Sequence, residues 1–310
     1  MLGIAIINYN TFEKTIECVE SVIRTVKSEY RIYLLDNASQ NESFEKLAEQ
    51  YRNNPVVELI KSDENTGYAR GNNICIEKAK ADGCEYILIS NNDIIFKENA
   101  VDILLNEIKQ SGAFIVSPAV YGTDGIRQAS VKAVKPSFKE YIQFSNYIVG
   151  KLMPRKKHLA YLKKMTPKNK AEVYWTAGSC FLADIKQFES IGLFDPYTFL
   201  FFEEYIISEK ALNNNLKIIY VPEAGVIHCH GASMGGAVNL FTRLASFRSE
   251  CYMFCNYWII SPSQLKLVRT LRCLEVMWSF FKAKKPKEVF EYIKQTKKVL
   301  KETPRKKDES

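Results

Sequence analysis

Asp93 closes the run Ser90-Asn91-Asn92-Asp93, directly after the apolar stretch Tyr86–Ile89. A carboxylate where a buried strand ends is a hard ligand for a divalent cation, and Asn91 and Asn92 add neutral oxygens and amide donors. The trio suits Mg2+ or Mn2+ shared with phosphates, although Asn and Asp are also the usual turn formers. Glu203 and Glu204 follow the apolar residues Phe199–Phe202, where a helix begins. A low-dielectric pocket there would raise a carboxyl pKa towards the range of a general base; an acidic first turn answering the helix dipole is the plainer reading. His228 and His230 share one side of a strand end, where an imidazole could ligate a metal. Cys229 faces the other way, which argues against a His-Cys-His zinc site.

These groups need strands and helices to position them, and the first 120 residues alternate the two signals. Strands are predicted at Ile4–Ile7, Ile32–Leu35, Val56–Ile60, Tyr86–Ile89 and Phe114–Val116. Helices fall between them at Phe12 to about Val26, Ser43–Tyr51, Asn65 to about Ala81 and Ala100–Lys109. This alternation requires an α/β fold with a mostly parallel sheet and helices on both faces. Polar clusters recur where the strands end: Asn8-Tyr9-Asn10, Asp36-Asn37, Ser62–Asn65 and Asn91–Asp93. A nucleotide lying along that rim would find Asp36 as an acceptor for base or ribose groups, backbone N–H groups after Asn8 and the helix start at Asn65–Gly67. Each cluster taken singly could equally cap the following helix. Gly67 and Gly71 share a helical face and permit close approach to the sheet or a ligand; the element is neither a Walker loop nor G-x-G-x-x-G.

The alternation stops at about residue 122, where Pro136, Pro154, Pro167 and the run Arg155-Lys156-Lys157 mark an irregular or partly helical basic insertion to about 171. After Val173 come a strand leading from Gly178-Ser179, a helix from Ile185, a helix at Glu203, and two strands, Leu216–Val221 and Gly225–Gly231. Three basic, aromatic-rich helices follow, at about Leu240–Trp258, Pro262–Phe281 and Pro286–Lys301. The expected division is a catalytic domain at 1–238 and a helical region at 239–310. The net charge of +8 is uneven, with +10 in residues 131–171 and +9 in 240–310. Two such blocks outside the catalytic body suit an anionic membrane surface; no nucleic-acid recognition motif accompanies them. Leu2–Ile7 has no basic lead and reads as a first strand, so no signal peptide is expected; no apolar run of ~18 residues is present, and eight unpatterned cysteines read as reduced thiols. The expected location is the cytoplasm, peripheral on the inner face of the membrane.

Seven stretches stand in a set order: Asn8-Tyr9-Asn10, Asp36-Asn37-Ala38-Ser39, Asn65 with Gly67-Tyr68-Ala69 and Gly71-Asn72, Asn91-Asn92-Asp93, Gly178-Ser179, Glu203-Glu204, and His228 with Gly231 and Ser233. Together they resemble the family 2 glycosyltransferases of bacterial polysaccharide synthesis with the GT-A fold, in particular the rhamnosyltransferase-like branch, over roughly residues 3–235. Asn91-Asn92-Asp93 takes the place of the family's D-x-D, leaving one carboxylate, and Glu203-Glu204 that of its Glu-Asp pair. The resemblance implies an inverting, metal-assisted transfer of a sugar from a nucleoside-diphosphate donor, dTDP-rhamnose or a UDP-sugar, to a lipid-linked saccharide. It implies that Asp36 contacts the base and that Asp93 binds Mg2+ or Mn2+ at the diphosphate. His228 would reach the metal or diphosphate from the opposite side, and Glu204, with Glu203 beside it, would be the general base. The remaining motif residues, among them Asn72, Gly178 and Ser179, would line the donor. A catalytically silent nucleotide-sugar binder and a nucleotidyltransferase are the alternatives on such a sheet.

Overall fold

The computed structural model describes residues 1–229, 239–283 and 285–305. Four apolar runs form the parallel half of its sheet: β1 (Leu2–Asn8), β2 (Tyr30–Asp36), β3 (Val57–Lys61) and β4 (Tyr86–Asn91), ordered β3-β2-β1-β4. Between them lie α1 (Phe12–Thr25), α2 (Ser43–Tyr51) and α3 (Gly67–Ala81). Period-2 alternation sends Ile4 and Ile6 into one core, with Cys18, Val19 and Val22 of α1, and Ala5 into the other, with Ala69, Ile76 and Ala79 of α3. Helices therefore cover both faces, as the alternation required.

The second half makes the sheet mixed. After β5 (Ile94–Phe96), α4 (Ala100–Ser111) and β6 (Ile115–Tyr121), the chain forms β7 (Val131–Lys132), α5 (Phe138–Ser145), α6 (Tyr147–Lys151), α7 (Arg155–Met165), β8 (Ala171–Val173) and β9 (Trp175–Thr176). It then continues through β10 (Cys180–Asp184), α8 (Ile185–Ser190), α9 (Glu203–Asn213) and β11 (Ile218–His228). β10 runs antiparallel between β4 and β6, and β11 lies parallel to β6. The free edge of β11 takes β8 at one end and β5 at the other, both antiparallel. β7 and β9 form a separate two-stranded ribbon.

One expectation is corrected here. The strands read as Leu216–Val221 and Gly225–Gly231 are one strand to His228, because a register shift opposite β6 absorbs Pro222–Ala224 without ending it; His230, Gly231 and Ser233 lie outside the described residues. The insertion at 122–171 is partly helical, holding α5, α6 and α7. Ser137 and Glu140 form a reciprocal capping box at the start of α5, and Tyr141 of that helix is buried in a third core.

That third core joins α5 and Ile206 of α9 to α10 (Leu240–Met253), its π-helical continuation Phe254–Trp258, α11 (Pro262–Lys282) and α12 (Pro286–Glu302). Phe247, Phe254 and Phe280 are spent on this packing, so the C-terminal aromatics are partly structural. At its centre the Glu250 carboxylate, 1% exposed, meets Arg272 Nη2 at 2.9 Å and accepts from Tyr141 Oη at 2.6 Å. All eight cysteines are free, and among the described residues no helix is long and apolar enough to cross a membrane. Replacing Arg272 strands a buried carboxylate: Arg272→Met is expected to cost about 3–5 kcal/mol, read as a lower urea midpoint for the C-terminal tryptophan fluorescence.

Candidate active site

The carboxyl ends of β1 and β2 form one end of the rim. Asn8 Nδ2 donates to Asp36 Oδ2 at 2.7 Å and to Ser39 Oγ at 3.1 Å, while Asn8 Oδ1 accepts from Thr15 Oγ1 at 2.7 Å. Asn8 is fully buried, so its side chain sets the Asp36 carboxylate instead of reaching the rim surface. Asp36 also accepts from the Ser39 backbone N–H at 3.0 Å and from Ser39 Oγ at 2.7 Å. Asn10, held in the left-handed region at φ 59°, accepts from the Gln40 N–H at 2.7 Å and fixes the loop over this end; Tyr9 beside it is half-buried. Asn37, also buried, accepts from Thr66 N and Oγ1 at 2.9 Å and donates to Asn65 Oδ1 at 3.1 Å, which ties the end of β2 to the start of α3.

Asn92 and Asp93 form the turn between β4 and β5, so the turn reading is correct for the backbone. Asn92 is buried, with both amide hydrogens engaged by Thr11 Oγ1 and Thr15 Oγ1 at 2.8 Å each. Asn91 closes β4, and its N–H donates to Ser179 O at 2.8 Å, which brings Gly178-Ser179 to the rim. β5 then pairs with β11, setting Ile94 opposite His228. His228 Nε2 consequently lies 3.1 Å from Asp93 Oδ1, a buried oxygen with no well-formed hydrogen bond. Two ligating atoms converging on such an orphaned position fit a divalent cation whose remaining ligands come from phosphate and water. Among the described residues no cluster of three or more His, Cys, Asp or Glu side chains is assembled for a metal.

At the other side of the rim the start of α3 closes a circuit. Gly67 is at φ +76°, and a Cβ there would lie 2.3 Å from the carbonyl oxygen of Phe199. Its absence lets the Tyr68 N–H reach that oxygen at 2.8 Å. Tyr68 Oη donates to Gly178 O at 2.5 Å, and the Gly178 N–H donates to Glu204 Oε1 at 3.2 Å. The Gly67 N–H is taken by Asn65 Oδ1 at 3.0 Å, so the first two amides of α3 serve the fold, not a phosphate. Asn72 is buried and donates to Tyr68 O at 3.0 Å. Gly71 meets the sheet, with Ile7 and Leu35 around it.

The loop held by Phe199 ends in Phe201 and Phe202, both left-handed at φ 70° and 69°. Two such residues in succession store strain, of order 1–3 kcal/mol each, and turn the chain sharply into Glu203 and Glu204. The two carboxyls then differ. Glu203 is buried, with Oε1 lacking a partner, and burial followed by repulsion from Glu204 pushes its pKa well up. Glu204 is part-exposed and in contact with Gly178; burial raises its pKa, while backbone N–H groups, that of Gly178 among them, and Lys132 oppose the rise. Lys132 had no signal in its local sequence. The β7–β9 pairing sets it opposite Trp175, with Nζ 3.4 Å from that ring centroid and 5.0 Å from that of Tyr205. Burial lowers its pKa to about 8, so it remains cationic at neutral pH. Trp175 Nε1 is buried without a partner.

The family model described as glycosyl transferase family 2 matches residues 3–184, more than half of the chain. The chain belongs to glycosyl transferase family 2. Among curated family relatives, the N-acetylglucosaminyl-diphospho-decaprenol L-rhamnosyltransferase of Mycobacterium tuberculosis is 24% identical over 233 residues, covering 72% of this chain and 73% of that protein. The glycosyltransferase GlyG of Streptococcus pneumoniae is 27% identical over 124 residues, 40% of each chain. Two solved structures show the same GT-A fold. GalNAc-T7 with UDP, GalNAc and Mn2+ has a TM-score of 0.62 at 18% identity; 82% of this chain spans 47% of that one, about half its length. The mannosyltransferase PcManGT of Pyrobaculum calidifontis, with GDP-Man and Mn2+, has a TM-score of 0.53 at 12% identity, covering 97% of this chain and 74% of that one.

In this family 2 chain, Gly67→Ala is expected to break the circuit, since the added Cβ has neither space nor a favourable φ. A stability loss of at least about 1 kcal/mol, with faster proteolysis within residues 195–202, is the measurable outcome.

Proposed function

We propose that this glycosyltransferase moves a sugar, with inversion, from a nucleoside-diphosphate donor to a lipid-linked saccharide in the synthesis of a capsule, exopolysaccharide or cell-wall polysaccharide. The observation that carries the reading is Glu204. It is a carboxylate raised in pKa by burial, held by the Gly178 N–H, and turned to the same rim that gathers Asp36, Asn91, Asp93 and His228. dTDP-rhamnose is the donor favoured by analogy with the mycobacterial relative, and a UDP-sugar is the alternative.

In this reading Asp36, with Asn10 and Ser39, forms the base end of the donor site, and Tyr9, Asn65, Asn91 and Ser179 flank the donor. Asn8, Asn37, Asn72 and Asn92 hold those groups from behind. Asp93 and His228 would hold the Mg2+ or Mn2+, which when bound offsets negative charge on the departing diphosphate. Glu204 takes the proton of an acceptor hydroxyl. The hydroxyl oxygen bonds to the anomeric carbon as the bond from that carbon to the diphosphate breaks on the opposite side, and nucleoside diphosphate leaves. Glu203, enclosed and favoured in its neutral form, is unsuited to this task. Lys132 favours the ionised form of Glu204 by its charge.

Two measurements test this assignment. Glu204→Gln is expected to lower nucleoside-diphosphate release in the presence of acceptor by about 10²-fold or more, with nucleotide binding retained in a thermal-shift titration; full activity would remove Glu204 from the base role. Transfer should also fall as pH drops through the raised pKa of Glu204. Lys132→Met removes a cation that stabilises the carboxylate, so the acidic limb of its pH–rate profile is expected to move to higher pH, and Lys132→Arg to restore it.

A further inference from the structure

α11 carries apolar side chains on two opposite faces. Leu265, Val268, Val276 and Phe280 point into the third core. Leu267, Leu274, Trp278 and Phe281, spaced by 7, 4 and 3 residues, fall within a narrow stripe on the opposite side and are 44–59% exposed. The buried face explains the helix; among the described residues the stripe is left exposed.

A basic segment begins beside this helix. α6 abuts α11: the Tyr147 N–H donates to Glu275, next in sequence to Leu274, and Arg272 Nη1 donates to Ser145 O at 3.1 Å. Residues 147–165 carry six Lys or Arg and no Asp or Glu, and Tyr147, Leu152 and the run Arg155-Lys156-Lys157 are exposed. Glu275 is the only carboxylate of α11, and Arg272 holds it at 2.8 Å. The fold thus joins α6 of one basic block to α11 of the other, more than a hundred residues apart in sequence, along an apolar strip that contains an indole.

We propose that this α6–α11 face is the surface by which the protein lies on an anionic lipid bilayer, with the stripe entering the headgroup boundary and the α6–α7 cations meeting the lipid phosphates. The inference rests on the reading of a lipid-linked acceptor, which such docking would bring to the rim. Apolar side chains including tryptophan, flanked by exposed cations of which Lys164 is paired with Glu140, match the composition of interfacial helices. An isologous dimer through the same face would set one copy's cations against the other's.

The test is co-sedimentation of the full chain with vesicles of phosphatidylcholine alone and of phosphatidylcholine with phosphatidylglycerol. Binding to the anionic vesicles is expected, weakening at least tenfold on neutral ones and again as salt rises from about 0.1 to 0.5 M. The doubles Leu274→Glu/Trp278→Glu and Lys156→Glu/Lys157→Glu, all at exposed positions, should each lose at least tenfold with unchanged thermal midpoints. Equal binding by these variants, or no preference for anionic lipid, overturns the proposal. So does a concentration-dependent dimer that the first double abolishes, which would assign the stripe to a second copy. Nucleoside-diphosphate release from a donor panel is followed in parallel; its absence in the unmodified chain would overturn the transferase mechanism without altering the vesicle result.

Discussion

The contact between the Phe199 carbonyl and the start of α3 is the constraint on which the candidate rim depends. It exists because residue 67 has no Cβ, and it fixes a loop that would otherwise be free to carry Glu203 and Glu204 away from the sheet. Tyr68 is the hub: its backbone N–H holds Phe199 and its hydroxyl holds Gly178, whose own N–H holds Glu204. The strain at Phe201 and Phe202 persists because both ends of the turn are anchored, one by Phe199 and the other by the helix that Ile206 and Ile207 bury.

Much of the fold was legible because the parallel strands are buried on both faces and read as continuous apolar runs with amphipathic helices between them. The elements that were missed are short or interrupted. β5 has three residues, too few for a pattern, and Pro222 breaks the apolar run of β11 although the strand continues through a register shift. The bounds of the helices in the basic insertion were hidden because α7, for one, presents almost no buried face; of its residues only Met165 is buried.

The candidate site could be read as a set of residue types, but their partners could not. Asp93 and His228 are 135 positions apart, and their meeting depends on the antiparallel pairing of β5 with β11, which no local signal announces. The buried asparagines looked like ligands because Asn at a strand end can serve either a ligand or a neighbouring loop; only the distances to Thr15, Asp36 and Thr66 show which groups they hold. Lys132 was invisible since its environment, the rings of Trp175 and Tyr205, is assembled from two other segments.

The antiparallel entry of β10 between β4 and β6 also bears on how the chain is made. β1 to β4 are complete by residue 91, but the far edge of β4 has no strand to pair with until residue 180 has been added. At about 5–20 residues per second of synthesis, that edge stays open for roughly 4–18 s. A nascent chain of this protein therefore carries a central, apolar strand edge exposed to other chains for that interval, and chaperone demand should be greatest then.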